Sequence, residues 1–442
     1  MLGLRGTLGL GATALVYLTA CGGAPDALAP PPAPIVSVDV PDTATIGIDG
    51  VVTLRAKNAS GRDIAAHDLA WTSADPAIAR VDEEGHVTGV AAGQVDITAR
   101  TPESGDTCRI TVLPLIVLKG LPTDINEVGV VVGYAGAHAF VWTRETGIRD
   151  LPRRPGDPKQ VAASIADDGT VVGTSGGGDF ESDHAVVWTF DPAGVATMTE
   201  LPWPGGPTAF ARGISRSGDR IAGQVFVLTE PNAYDFPRYD AYPALWTRAA
   251  GGSWRLELLP VPEDAFGVAA GLNDNEQVVG LSIVPLSPPL PGQYAPDYSQ
   301  NAVIWTRGPR GSWVMETLAT GTREEGVQAA AINASGQVVG TSSNRALLWV
   351  RSGAEWTSTD LGTLGGGEFS FAADINDAGE VVGATFDMQG RQRAFIWSAG
   401  EGMRDLGSLT NSAVARRINS SATVIGINTG GKGDIGTIWL GR

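Results

Sequence analysis

Few side chains in this sequence are placed to do chemistry. The four histidines (His67, His86, His138, His184) show no His-Glu-x-x-His spacing, and the only cysteines are Cys21 and Cys108. This excludes a disulfide framework and a Cys-based zinc site. No phosphate-binding Gly-x-x-x-x-Gly-Lys-Ser/Thr loop occurs; the nearest stretch, Gly430-Gly431-Lys432-Gly433, lacks the hydroxyl residue. Asp124 and Asp374 hold equivalent places in two copies of a repeat, and paired carboxylates can do glycosidic chemistry. Arg417 holds that place in a third copy, which favours an ion pair, since a neighbouring cation keeps carboxylates ionised. Asp179, Glu181 and Asp183 could hold calcium, but they lack EF-hand spacing and read more simply as a solvated loop. We expect no catalytic residue, no metal and no cofactor.

Tyrosine gives the sharper signal. Five of the seven tyrosines fall in two segments, 226–242 and 283–300, accompanied by aspartates. The expected ligand-binding residues are Tyr234, Asp235, Tyr239, Asp240, Tyr242, Tyr294, Asp297 and Tyr298. Tyrosine gives large amphipathic contact area at low entropic cost, and long loops on rigid scaffolds carry function. The competing reading is a pair of loops stiffened by Pro231, Pro237, Pro288, Pro289 and Pro291 that pack only on each other.

The elements that position these segments come from an internal repeat over residues 115–442 with a period of about 46 residues. An Ile-Asn-x-x-Gly-x-Val-Val-Gly segment occurs at 332–340 and 375–383, with degenerate copies starting at Ile125, Ile165, Ile214, Leu272 and Ile418. Each copy leads to a small-x-aliphatic-Trp segment ending at Trp142, Trp188, Trp246, Trp305, Trp349, Trp397 or Trp439. These tryptophans could stack on sugars, but their fixed aliphatic neighbours favour packing between repeats. His138 and His184 share a slot with Tyr242, Asn301, Arg345 and Arg393, and so varied a slot is expected to be exposed. Four short antiparallel strands per repeat predict propeller blades, with a spiral solenoid as competitor. The seventh repeat stops before a fourth strand, while an unassigned strand, 115–118, precedes the first repeat. Ring closure, with 115–118 completing the seventh blade, reconciles the two. Both Tyr-rich segments would then join strands two and three of adjacent blades.

Residues 35–114 carry short alternating strands between turn signals, as in a β-sandwich. The segment from Ala70-Trp71-Thr72-Ser73 to Ala79, with Val87-Thr88-Gly89-Val90-Ala91-Ala92-Gly93, resembles the bacterial Ig-like domain, group 2. That resemblance implies a surface spacer or adhesion unit without a catalytic site, and makes Trp71 a core residue. The repeats resemble the extracellular HAF repeat family, on His138-Ala139-Phe140-Val141-Trp142 and on Asp360-Leu361-Gly362-Thr363-Leu364-Gly365-Gly366-Gly367. The resemblance implies a surface location and no defined activity. Residues 1–20 read as a secretory signal, and Leu18-Thr19-Ala20-Cys21 resembles a bacterial lipobox, which implies lipidation at Cys21. The rival reading is a plain signal cut near Ala20. A Pro/Ala-rich tether follows at 21–34. Cys108 would then stand alone, as a small buried hydrophobe.

The fold class expected is all-β: an Ig-like β-sandwich followed by a seven-bladed β-propeller. A net charge of −17 disfavours nucleic acid and anionic lipid, leaving the acyl anchor as the membrane attachment. The expected protein is a monomeric envelope lipoprotein, on the outer membrane or cell surface, that recognises or adheres to an extracellular protein or glycan. The alternative is a propeller hydrolase using Asp124 and Asp374.

Overall fold

The computed structural model describes residues 38–177, 183–229, 238–286, 298–430 and 433–441. The signal segment, Cys21 and the tether lie outside the described residues, as do Asp179, Glu181, Tyr234, Asp235, Tyr294, Asp297 and the side chain of Tyr239.

The chain is all-β, and its strands fall where apolar and polar residues alternate between Gly- and Asp-rich turns. Residues 38–112 form an Ig-like sandwich. One sheet holds Ala70–Ser73, Gly93–Arg100 and Gly105–Leu118, with Thr43–Ile48 running parallel to the last; Val51–Thr53, His86–Gly89 and Ala79–Val81 form the other. Cys108 is fully buried in its core, where burial pushes the thiol pKa up. Trp71 packs against that core but is half-buried, and its indole nitrogen has no partner among the described residues.

Six four-stranded antiparallel sheets follow, each a meander whose strands pair in sequence order, and a seventh set of four is part of the sandwich's larger sheet; each fits a propeller-like blade. The first comprises Leu121–Ile125, Val131–Ala135, His138–Thr143 and Gly147–Asp150. The seventh contributes only Ser412–Ile418, Val424–Thr429 and Ile435–Trp439 from its own repeat. Its fourth strand is the end of Gly105–Leu118, with Trp439 opposite Leu115 and Gly436 opposite Leu118. The 14-residue strand Gly105–Leu118 therefore belongs to both the sandwich and the last blade. The boundary expected near 114 falls inside this strand, with no linker. One apolar core accordingly runs from the sandwich through Ile438 to Ile125 of the first blade.

In five of the seven blades the Asn of the Ile-Asn pair joins the blade to the next. Asn273 Nδ2 donates to Asn333 O at 2.9 Å, Asn333 to Asn376 O at 3.1 Å, and Asn376 to Asn419 O at 3.1 Å. Asn419 then donates to Asn126 O at 3.2 Å, linking blade seven to blade one, and Asn126 to Ala166 O at 3.1 Å. Blades two and three carry Ala166 and Ser215 in this slot, and there the Asp167 amide donates to Arg216 O instead.

The tryptophans pack between blades, with two departures. Trp188, Trp246, Trp305, Trp349 and Trp439 are buried; three of them donate their indole N–H to Pro152, Pro202 and Pro260 carbonyls at 2.6–2.8 Å. Trp142 and Trp397 are only half-buried, because Phe140 and Phe395, two residues earlier, fill the core of blades one and six.

Candidate functional site

Every inner strand carries one β-bulge, between residues such as Ala211 and Gly213 or Ala415 and Arg417. The glycine that closes each repeat permits it. A Cβ on Gly280 would lie 1.9 Å from Val268 O, and one on Gly133 or Gly340 would lie 2.1 Å from an inner-strand carbonyl. Only glycine fits so close a backbone approach. A bulge re-aims a side chain, and here it lets two adjacent residues face the interior. The bulge residue is Thr123 in blade one and alanine in blades two, four, five and six (Ala163, Ala270, Ala330, Ala373). In blades three and seven it is Arg212 and Arg416. All seven line one central cavity of about 640 Å³, at the end where the inner strands begin.

The residues following the bulge line a smaller space of about 120 Å³ at the opposite end. It brings Asp124, Asp374 and Arg417 together, as the sequence suggested, with Arg417 Nε 3.7 Å from Asp124 Oδ1. Both carboxylates hold neighbouring blades together. Asp124 Oδ2 accepts the Ile165 amide at 2.9 Å and the Ser164 hydroxyl, while Asp374 Oδ2 accepts the Ile418 amide at 2.9 Å. Ser164 Oγ in turn accepts the Ile214 amide at 3.3 Å. Arg417 favours the charged forms of both carboxylates, but desolvation outweighs it, so both pKa values rise, that of Asp374 to about 6, which leaves it mostly ionised at neutral pH.

Arg216 closes this end. Its guanidinium reaches from blade three to Glu127 of blade one at 2.9 Å and to Asp377 of blade six at 2.6 Å. Glu127 also accepts from the Ser420 amide of blade seven at 2.8 Å.

The opposite end carries the two Tyr-rich segments, of which 226–229 and 238–242 are strand rather than loop. In blade three, Arg220–Thr229 pairs with Arg238–Arg248, and the hairpin passes the start of the inner strand at Ala209. In blade four, Val278–Pro285 pairs with Tyr298–Arg307. Tyr242 packs against the apolar core between blades two and three; Asp240 and Tyr298 are half-buried on the stems, opposite Val227 and Pro285. The same end exposes Leu228 (56%), Leu286 (64%), Phe369 and Met388.

The varied slot of His138 and His184 is half-buried, not exposed, because it pairs with the fourth strand's carboxylate. His184 Nδ1 lies 2.8 Å from Glu200, Arg345 Nε 3.0 Å from Asp360, and Arg393 pairs with Asp405. His138 lies 4.0 Å from Asp150. The His/Arg and Asp-Leu parts of the repeat are thus two halves of one cross-strand contact. In the sandwich, the exposed Asp82, Glu84 and His86 offer ligand atoms within 4.8 Å of one another. Asp82 Oδ1 already accepts the Glu84 and His86 amides, shaping their turn.

Residues 37–112 match the bacterial Ig-like domain, group 2. Domains of this family are typically extracellular or surface-associated. No curated protein matches the chain. Among solved structures, a streptogramin B lyase is 13% identical, with a TM-score of 0.42 over 74% of this chain and 97% of its own. A virginiamycin B lyase from Staphylococcus aureus is 12% identical, at 0.42 over 74% and 99%. An acylaminoacyl peptidase from Pyrococcus horikoshii is 13% identical, at 0.43 over 71% and 49%. Among the described residues, no helix is long and apolar enough to cross a membrane.

Proposed function

We propose that the chain is a surface lipoprotein, anchored through Cys21, whose HAF-like repeats close into a seven-bladed propeller that recognises an extracellular protein or glycan. Closure is supported by the pairing of Trp439 with Leu115 and by the Asn419–Asn126 bond. The observation that carries recognition is the pair of extended hairpins on adjacent blades, with Leu228 and Leu286 exposed on them, at the open end of the cavity. Long connections on a packed scaffold are where binding groups concentrate. Tyr234, Asp235, Tyr239, Tyr294 and Asp297 belong to the same two segments and complete the proposed contact set with Asp240, Tyr242 and Tyr298.

Replacing 230–237 and 287–297 with two-residue turns, while keeping the paired stems, tests this reading. Capture on arrays of envelope proteins, host proteins and glycans should disappear with the melting temperature nearly unchanged. Undiminished capture by the trimmed chain overturns the reading.

The hydrolase reading has one observation in its favour, the Asp374 pKa raised to about 6. Against it, both carboxylates are occupied by main-chain amides. That reading requires turnover on glycan or peptide panels, lost in D124N and D374N; inactivity across the panels removes it.

A further inference from the structure

Only two of the seven bulge positions carry charge, and both charges are positive. Arg212 donates to Gln224 Oε1 at 3.4 Å and lies 5.5 Å from the centroid of the Phe210 ring. Arg416 donates to Pro122 O at 3.4 Å. Among the described residues, neither guanidinium has a carboxylate within 4.0 Å. Elsewhere the chain pairs its arginines readily, as Arg307 with Glu257 and Arg345 with Asp360. In a protein of net charge −17, two cations without carboxylates face one open cavity, Arg416 half-buried and Arg212 exposed to it, and together they favour an anion there. Desolvation by its neighbours lowers the Arg212 pKa although the residue is exposed, and a guanidinium keeps its charge.

The rest of the wall is mostly apolar, formed by the four bulge alanines with Val161, Val268, Leu281, Phe371 and Val414; Arg417, which also lines it, is paired with Asp124. We propose that this cavity binds a small organic anion, a carboxylate on an apolar body, with Arg212 and Arg416 supplying the positive charge. The volume lies within the range of about 300–1,000 Å³ common to small-molecule sites. A free sugar fits less well, since Thr123 and Gln328 are the only uncharged polar side chains on the wall. Lys159 and Asp183 line an adjoining recess that also reaches Arg212, and Asp124 and Asp374 lie at the far end beside Arg417. The site uses different residues from the hairpin face, so either can fail without the other.

Titration calorimetry and thermal melts of the full chain with benzoate, benzamide and acetate test the proposal. Benzoate should bind and raise the melting temperature. Benzamide, of the same shape without the charge, should bind at least about tenfold more weakly, and acetate, with the charge but no ring, should also be weaker. R212Q and R416Q should each weaken benzoate at least about tenfold without lowering the melting temperature of the free chain, since each removes an uncompensated cation. A chain trimmed at 230–237 and 287–297 should bind benzoate as before. Equal affinity for benzoate and benzamide overturns the proposal and requires no variant. So does unchanged benzoate binding in both glutamine variants, or no benzoate binding up to about 10 mM.

Discussion

Asn376 does two jobs with one amide. Its Oδ1 accepts the Glu380 amide at 2.9 Å, closing its own hairpin, while Nδ2 donates to Asn419 O in the next blade. Asp374, two residues earlier, also reaches blade seven, but at an electrostatic disadvantage. Its surface opens onto the small cavity, and desolvation lifts its pKa to about 6, against an unfolded value of about 3.9. Between about pH 4 and 6 the folded chain therefore holds a proton that the unfolded chain has released. Stability from this group is greatest below that window and is lost as pH rises through 6. Asparagine keeps an oxygen for the Ile418 amide without the charge. D374N should thus be more stable than the natural chain at pH 7.5, by about 3 kcal/mol at most, with the difference vanishing near pH 4. Urea melts at both pH values check this; a variant less stable at pH 7.5 contradicts it.

At the scale of the element, the inner strand governs what the cavity contains. Its bulge depends on the glycine opposite, and nothing in the backbone can yield to a Cβ 1.9 Å from Val268 O. G280A should lose about 3 kcal/mol or more, measured by chemical denaturation, whereas G311A in an exposed turn should lose much less. An equal loss in both would separate the glycine from the bulge. Much of this architecture was legible in the sequence: the Ile-Asn and Val-Val-Gly segments, the Trp strand, and the completion of the seventh blade by 115–118. The bulge was not. Strict alternation lets only one of two neighbouring residues face the interior, so a strand that turns Asp124, Asp374 or Arg417 inward is expected to turn Arg212 and Arg416 away from it. The slot two residues before each repeat's aliphatic, read alone as Thr, Ala, Arg, Ala, Ala, Ala, Arg, carries that signal. The half-burial of His138 and His184 was hidden for another reason: their carboxylate partners lie on the next strand, 12 to 16 residues later.

At the scale of the whole molecule, the two ends of the blade array differ. One is closed by Arg216 bridging Glu127 and Asp377 over a narrow acidic space. The other opens into the larger cavity and bears both long hairpins. The sandwich joins the blades through a continuous strand and a shared core, with no linker between them. Recognition at the hairpin end is the central claim, and cross-linking by position tests it most directly. A photoreactive phenylalanine replaces Leu228 or Leu286 on the hairpin end, or Val195 or Val350 away from it, and the chain is irradiated with an array-identified ligand. Adducts are expected from positions 228 and 286 and none from 195 and 350. Adducts from 195 or 350 with none from the hairpins would contradict recognition at the hairpin end.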